Sequence, residues 1–292
     1  MPANALRDLF KRTSMSQLMR TAKRTPRGVL GDTDFAKYQL ELLQGVFPGV
    51  KFDFCAISTM VLDTNLLPAG LDCVLLNVAP SIIDSYISVT AHDELSPIVH
   101  LNPGRIIGHD AAFDAQSWQA SPLFNKHCRV YDIHRILRIA FQYPAMERKV
   151  ISFDYYGTGE NGTWDALDHT LLETASFPFA LSWLLRKGAI DEPRYDAFME
   201  RISDLTPTQI AYLRKFVNSP WKDLSAQAKE MGYSHGGYKQ ALYTIRDALI
   251  DKLSLPESEI IGQKSRSLRV IDHDYAFLKM LGDPSVPLRK PA

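Results

Sequence analysis

The densest collection of groups able to hold a metal or act as nucleophile and base is His127-Cys128, followed by Asp132 and His134. A bound transition metal needs three or four converging ligands, and no second cluster with suitable spacing lies elsewhere in the sequence. Cys128 could be activated by a distant histidine, but no nucleophile elbow or phosphate loop surrounds it. Packing is the expected role of this group, and no catalytic residue, metal or cofactor is expected. The run Gly157-Thr158-Gly159-Glu160-Asn161-Gly162 has the look of a glycine loop, yet no capped helix follows at once, so a surface turn accounts for it. A second set of polar groups lies in the stretch 235–246: His235, Gly236, Gly237, Lys239, Gln240, Tyr243 and Arg246, with Lys222 in the loop before it. A glutamine amide pairs in a bidentate way with adenine, while lysine and arginine suit guanine or phosphate. Glycines let the backbone come close to a groove wall. Such chemistry needs a rigid element to hold it.

The stretch 205–253 supplies that element as three helices with start and stop signals. Thr206, Pro207 and Gln209 form a capping box with proline at the first helical position. Ile210, Leu213, Phe216 and Val217 then give one apolar stripe, until Asn218-Ser219-Pro220 stops the helix. Asp223 caps a short second helix, 224–231, and Gly232 follows it at the position that favours positive φ. Ser234 caps the third. Tyr238, Leu242, Ile245, Leu249 and Leu253 share one face of the third helix, whereas Gly236, Lys239, Gln240, Tyr243 and Asp247 point the other way. This is the geometry of a helix-turn-helix, whose second paired helix enters the major groove.

These residues resemble the C-terminal DNA-binding domain of LuxR-type transcription regulators. The matching positions are Leu205-Thr206-Pro207, Gln227-Ala228, Met231-Gly232-Tyr233-Ser234 and the helix running to Leu253. The sequence departs from the family pattern at Gln227, where isoleucine is usual, at Tyr238, where valine is, and at Ala241, where histidine is common. About two extra residues also sit near Pro220. Gly236-Gly237 weakens the first turn of the recognition helix by roughly 1 kcal/mol per glycine relative to alanine. The resemblance implies a bacterial, cytoplasmic, homodimeric regulator that binds double-stranded DNA and is not an enzyme. The alternative is an adaptor whose degenerate helix-turn-helix binds another protein.

With 292 residues and 46% hydrophobic content, the chain can bury two ordinary domains. No apolar run approaches the roughly 20 residues of a membrane span, and no secretory apolar region follows the start. Three widely spaced cysteines, Cys55, Cys73 and Cys128, fit a reducing compartment. The net charge is zero but uneven. Residues 1–30 carry seven Lys/Arg against one acid, residues 31–203 carry 13 against 22, and residues 204–292 carry 13 against 10. Phosphate contacts therefore belong to the two ends, since the middle repels a polyanion.

The segment 1–30 reads as a basic amphipathic arm, for which subunit packing, phosphate contact, a solvated helix and a presequence are the competing roles. Residues 31–187 are expected to form the sensor domain. Its expected elements are a helix over 32–46, strands over 52–60 and 72–79, a helix or strand over 82–89, and a brief strand at 105–107. A helix over 118–130, strands over 133–142 and 150–156, and a long helix over 164–187 with a kink at Phe177-Pro178 complete it. The expected fold is α+β, an antiparallel sheet with flanking helices, followed by the all-α helix-turn-helix domain. Residues 92–187 resemble the GAF-like sensory domain, especially Ser121-Pro122-Leu123-Phe124-Asn125 and Tyr131-Asp132-Ile133-His134. A small-molecule ligand or regulatory protein is the partner this implies. The Trp, Tyr and Asp spacing of acyl-homoserine-lactone-binding regulators is absent, so that ligand is not carried over. A linker is expected over 188–203, the helix-turn-helix over 204–253, and a C-terminal extension over 254–292. That extension is expected to pack on the DNA-binding domain or touch DNA through Lys264, Arg266 and Arg269.

Overall fold

A computed structural model of the chain describes residues 31–46, 54–143, 148–158 and 166–190. It also describes shorter pieces, namely 146, 192–193, 195–196, 226, 229, 234–237, 239–240, 243, 260–261, 269–270 and 287–291. The expected basic arm over 1–30 and most of the helix-turn-helix lie outside the described residues, as do Lys222 and Arg246.

Helix α1 (Asp32–Val46) precedes strands β1 (Phe54–Leu62) and β2 (Pro68–Leu76). Short helices α2 (Ser81–Ile87) and α3 (Leu95–Leu101) follow, then strand β3 (Ile107–Gly108) and helices α4 (Ala115–Ala120) and α5 (Pro122–Lys126). Strands β4 (Ile133–Gln142) and β5 (Lys149–Thr158) lead into the long helix α6 (Ala166–Arg186). The five strands form one antiparallel sheet in the order β2-β1-β5-β4-β3, so this region is α+β with helices against the sheet. A two-stranded pair, β6 (Ile260–Ile261) with β7 (Arg269–Val270), stands apart in sequence. No described helix is long and apolar enough to cross a membrane.

Both faces of the sheet are covered, which is why β4 and β5 read as near-continuous apolar runs rather than alternating ones. On one face Phe141 packs on Phe177 of α6, and the Tyr155 hydroxyl meets Ser176 at 2.7 Å. The two ends of this layer are tied together: Phe35 of α1 packs on Trp183, and Asp32 accepts from Arg186 and Lys187. Pro178 lies inside α6 without ending it. On the opposite face Ala56, Ile136, Ala140 and Tyr156 join Ile82, Leu95, Ile98, Val99, Trp118 and Leu123 in one core.

Several boundaries differ from the sequence expectation for local reasons. The single helix expected over 118–130 is three pieces. Ser121 is extended (ψ 145°) because it precedes Pro122, and a residue before proline avoids the helical region. Its hydroxyl then caps α5 by accepting the Phe124 N–H at 3.0 Å. A 3-10 turn, Cys128–Tyr131, ends at Asp132 with φ 56°. Strand β2 begins earlier than expected and stops at Leu76, where Asn77 turns to φ 63°. Of the residues 82–89, expected as helix or strand, 82–87 belong to helix α2. Helix α3 carries Pro97 within its first turn, where the missing N–H costs nothing, and its short length hid it from periodicity.

One described piece of the C-terminal extension, Pro287–Pro291, lies against the sheet domain. Leu288 packs on the core that includes α2 and α3, and Arg289 bonds to Asn102 through its backbone.

Candidate functional site: a cleft over a buried ion network

Between the sheet and α2 lies a small cavity of about 30 Å³. Its lining comprises Ala56, Ser58, Met60, Leu71, Cys73, Leu75, Asp154 and Tyr156 from the strands, Ile82, Ile83 and Tyr86 from α2, and His127. Period-2 alternation explains the strand contribution: Ala56, Ser58 and Met60 share one face, and their register partners Leu75, Cys73 and Leu71 share it too. The space holds a water or two, so a larger occupant would have to part the walls.

One wall is a chain of buried charges. Arg138 is 2% exposed; its Nε donates to Asp154 Oδ1 at 2.8 Å and its Nη1 to Asp93 Oδ2 at 2.7 Å. Arg138 and Asp154 are direct cross-strand partners in β4 and β5. The remaining oxygens are also satisfied. Tyr86 Oη donates to Asp93 Oδ2 at 2.6 Å, Tyr156 Oη to Asp154 Oδ2 at 3.2 Å, and Ser152 Oγ to Asp154 Oδ1 at 2.9 Å. Asp93 Oδ1 accepts the Leu95 and Ser96 N–H groups, both at 3.1 Å, and so caps α3. Burial pushes the Asp93 carboxyl up, but the charge and hydrogen bond of Arg138 outweigh it and hold the group below the usual carboxylate value. Burial also drives both tyrosine hydroxyls well above their ordinary range, so they remain donors. The Cys73 thiol is pushed up to about 11, by burial first, and stays protonated beside Ser58. Of this network Asp154, Tyr86 and Tyr156 line the cleft, and both Asp154 oxygens already accept hydrogen bonds.

Two histidines stand near this network in neutral form. Burial, with the nearby charge of Arg138, lowers His127 to about 4 and His100 to about 3. His127 Nδ1 lies 3.2 Å from Ser85 Oγ, and its ring packs on Tyr86 and Tyr131. Neither ring nitrogen of His100 finds a partner among the described residues.

The sequence groups fall into place around this frame. His127 and His134 do not converge: His127 faces α2, while His134 Nε2 meets Asp132 at 3.0 Å on the outside. Cys128 is buried, with its thiol pushed up by burial. Among the described residues no three or more ligating side chains gather as a metal would require. Gly157 and Thr158 end β5, and the rest of the glycine run lies outside the described residues. At the start of the expected recognition helix, Ser234 is non-helical and its Oγ accepts the Gly237 N–H at 3.2 Å. His235, Gly236, Gly237, Lys239, Gln240 and Tyr243 are helical and exposed, and the Lys239 ammonium lies 5.8 Å from the Tyr243 ring centre. Sequence reasoning did not single out Arg138, Asp154, Asp93, Tyr86 or Tyr156. A signal was present for Asp154, the one charge in the apolar run VISFDYY, whereas IHRILRIAFQ holds both Arg135 and Arg138 and only burial separates them.

No family model matches the chain, and no curated protein does. Solved structures do resemble it. The VqsR LBD domain from Pseudomonas aeruginosa has 11% identity and a TM-score of 0.42, covering 61% of this chain and 96% of that one. SdiA in complex with octanoyl-rac-glycerol has 13% identity and a TM-score of 0.41, covering 84% and 88%. Escherichia coli SdiA in another crystal has 11% identity and a TM-score of 0.36, covering 83% and 91%. At such identities and scores the likeness carries no further argument.

Proposed function

We propose that this chain is a bacterial transcription regulator, in which the sheet domain senses a small molecule or protein and a C-terminal helix-turn-helix reads the major groove as a homodimer. The observation that carries this reading is the start of the recognition helix. A serine cap fixes its N-terminus, and His235, Gly236, Gly237, Lys239 and Gln240 lie exposed in its first turns, where base edges are reached. Lys239, Arg246 and Lys222 supply phosphate or guanine contacts, Gln240 an adenine contact, and Tyr243 a stacking or packing surface. The cleft over Asp154 and Tyr86 is the ligand site of this reading. Its lining is mostly apolar, with Ser58, Tyr86, His127, Asp154 and Tyr156 among its polar members.

The test is selection of bound sequences from a random duplex pool by the full chain and by Gln240→Ala and Lys222→Ala forms. Gln240→Ala should relax preference at one position per half-site, by roughly 1–3 kcal/mol of discrimination. Lys222→Ala should weaken all sequences alike. No enrichment by the parent chain would overturn the reading and leave the adaptor alternative.

A further inference from the structure

The segment Pro287–Pro291 is held in a way that a casual surface contact is not. The Asn102 carboxamide pairs with both backbone groups of Arg289: Nδ2 donates to the carbonyl at 2.8 Å, and Oδ1 accepts the N–H at 2.9 Å. That geometry imitates one rung of a β-ladder and reads an extended backbone whatever the side chain. Asn102 is itself buried and anchored, since Nδ2 also donates to the Ile98 carbonyl at 2.6 Å. Beside the rung, Leu288 packs against the core while Pro287, Arg289, Lys290 and Pro291 remain exposed. The two prolines restrict φ before binding, which lowers the entropy lost on docking. A buried amide for the backbone and an apolar seat for one side chain together make a recognition site for an extended segment.

The site sits at one end of α3, and the ion network sits at the other. Asn102 follows the last residue of α3, whereas Asp93 caps its first turn and holds Arg138. Between them Leu95, Ser96, Ile98 and Val99 are buried, so the helix moves as a packed unit rather than bending. Asp93 also accepts from Tyr86, which lines the cleft.

We propose that the sheet domain carries a peptide-recognition site at the C-terminal end of α3, that the chain's own Pro287–Pro291 strap occupies it, and that strap docking is linked through α3 to the charge network at the cleft. The linkage is reciprocal: whatever repositions Asp93 changes the affinity for the strap, and strap release loosens the Asp93 cap. The proposal does not depend on DNA binding.

Hydrogen exchange of the full chain, read by mass spectrometry with residue resolution, tests both halves. The Arg289 amide should exchange about tenfold or more slowly than in a free peptide of residues 284–292, and excess peptide should release it. Leu288→Asp, which alters the strap and leaves the sheet domain intact, should abolish that protection. In the same variant the Leu95 and Ser96 amides should exchange several-fold faster, while sheet amides stay unchanged. An Arg289 amide as fast as in the peptide would overturn the docking. Unchanged Leu95 and Ser96 amides after release would overturn the linkage. Protection that disappears on dilution would show a strap lent by a second copy, and would overturn the intrachain occupant.

Discussion

Arg138 shows how a single residue can be costly alone and secure in company. Moving a guanidinium out of water costs several kcal/mol, offset here only because two carboxylates meet it with hydrogen bonds and their other oxygens are occupied by tyrosine, serine and backbone donors. His100 has no such company. Its neutral ring is buried without a hydrogen bond among the described residues and takes a proton only near pH 3. In the unfolded chain it titrates near its ordinary 6.5. Between those values the unfolded state binds a proton that the native state does not, so stability falls as pH drops through this window, by up to about 1.4 kcal/mol per pH unit. His127, depressed to about 4, adds to the slope over the upper part of the same range. Asp93, held below 3.8, has the sign of a depressed carboxylate and loses its contribution only in more acid solution. Urea midpoints measured from pH 7 to pH 4 should decline in the parent chain and decline less steeply in His100→Leu, which removes one of the depressed histidines. An unchanged slope in that variant would place the titrating group elsewhere.

At the scale of elements, the first turn of the helix that begins after Ser234, the proposed recognition helix, carries a trade between helix strength and access. A Cβ built at Gly236 meets nothing within 4 Å, whereas one at Gly237 would lie 3.3 Å from the Ser234 Oγ that caps the helix. Nothing within the chain's described residues therefore requires glycine at 236. Gly236→Ala should strengthen the helix by up to about 1 kcal/mol, seen as higher thermal stability of the helical signal. If the bare backbone at 236 approaches the groove wall, the same change should lower affinity for the selected sequence. A variant that is both more stable and equally tight would assign Gly236 no part in recognition.

For the whole molecule, charge separation limits where a polyanion can bind. Residues 31–203 carry 22 acids against 13 bases, while residues 204–292 carry 13 bases against 10 acids. Contact is then local, and each phosphate neutralised releases counterions, so log K should fall with log salt by about 0.9 per contact. A homodimer reading half-sites about 10 bp apart should show a steep salt slope together with a dimeric mass. A monomer at micromolar concentration, or an affinity indifferent to salt, would count against the regulator as proposed.

Local pattern was enough to read the elements whose signals lie within a few residues. The strand over 133–142, the long helix that tolerates Pro178, and the Ser234 cap were legible because β-branched and aromatic content, length and capping chemistry act over short range. The antiparallel α+β class also followed from the order of elements. The charge network did not. Arg138 meets Asp154 through strand register and Asp93 across a separation of 45 residues, and neither pairing leaves a spacing that the sequence can display. The same holds for Asn102 and Arg289, which are 187 residues apart. Burial on both faces of the sheet decided the partners of Arg138. A charge enclosed there must find its complement in three dimensions, and only the packed chain determines which one it is.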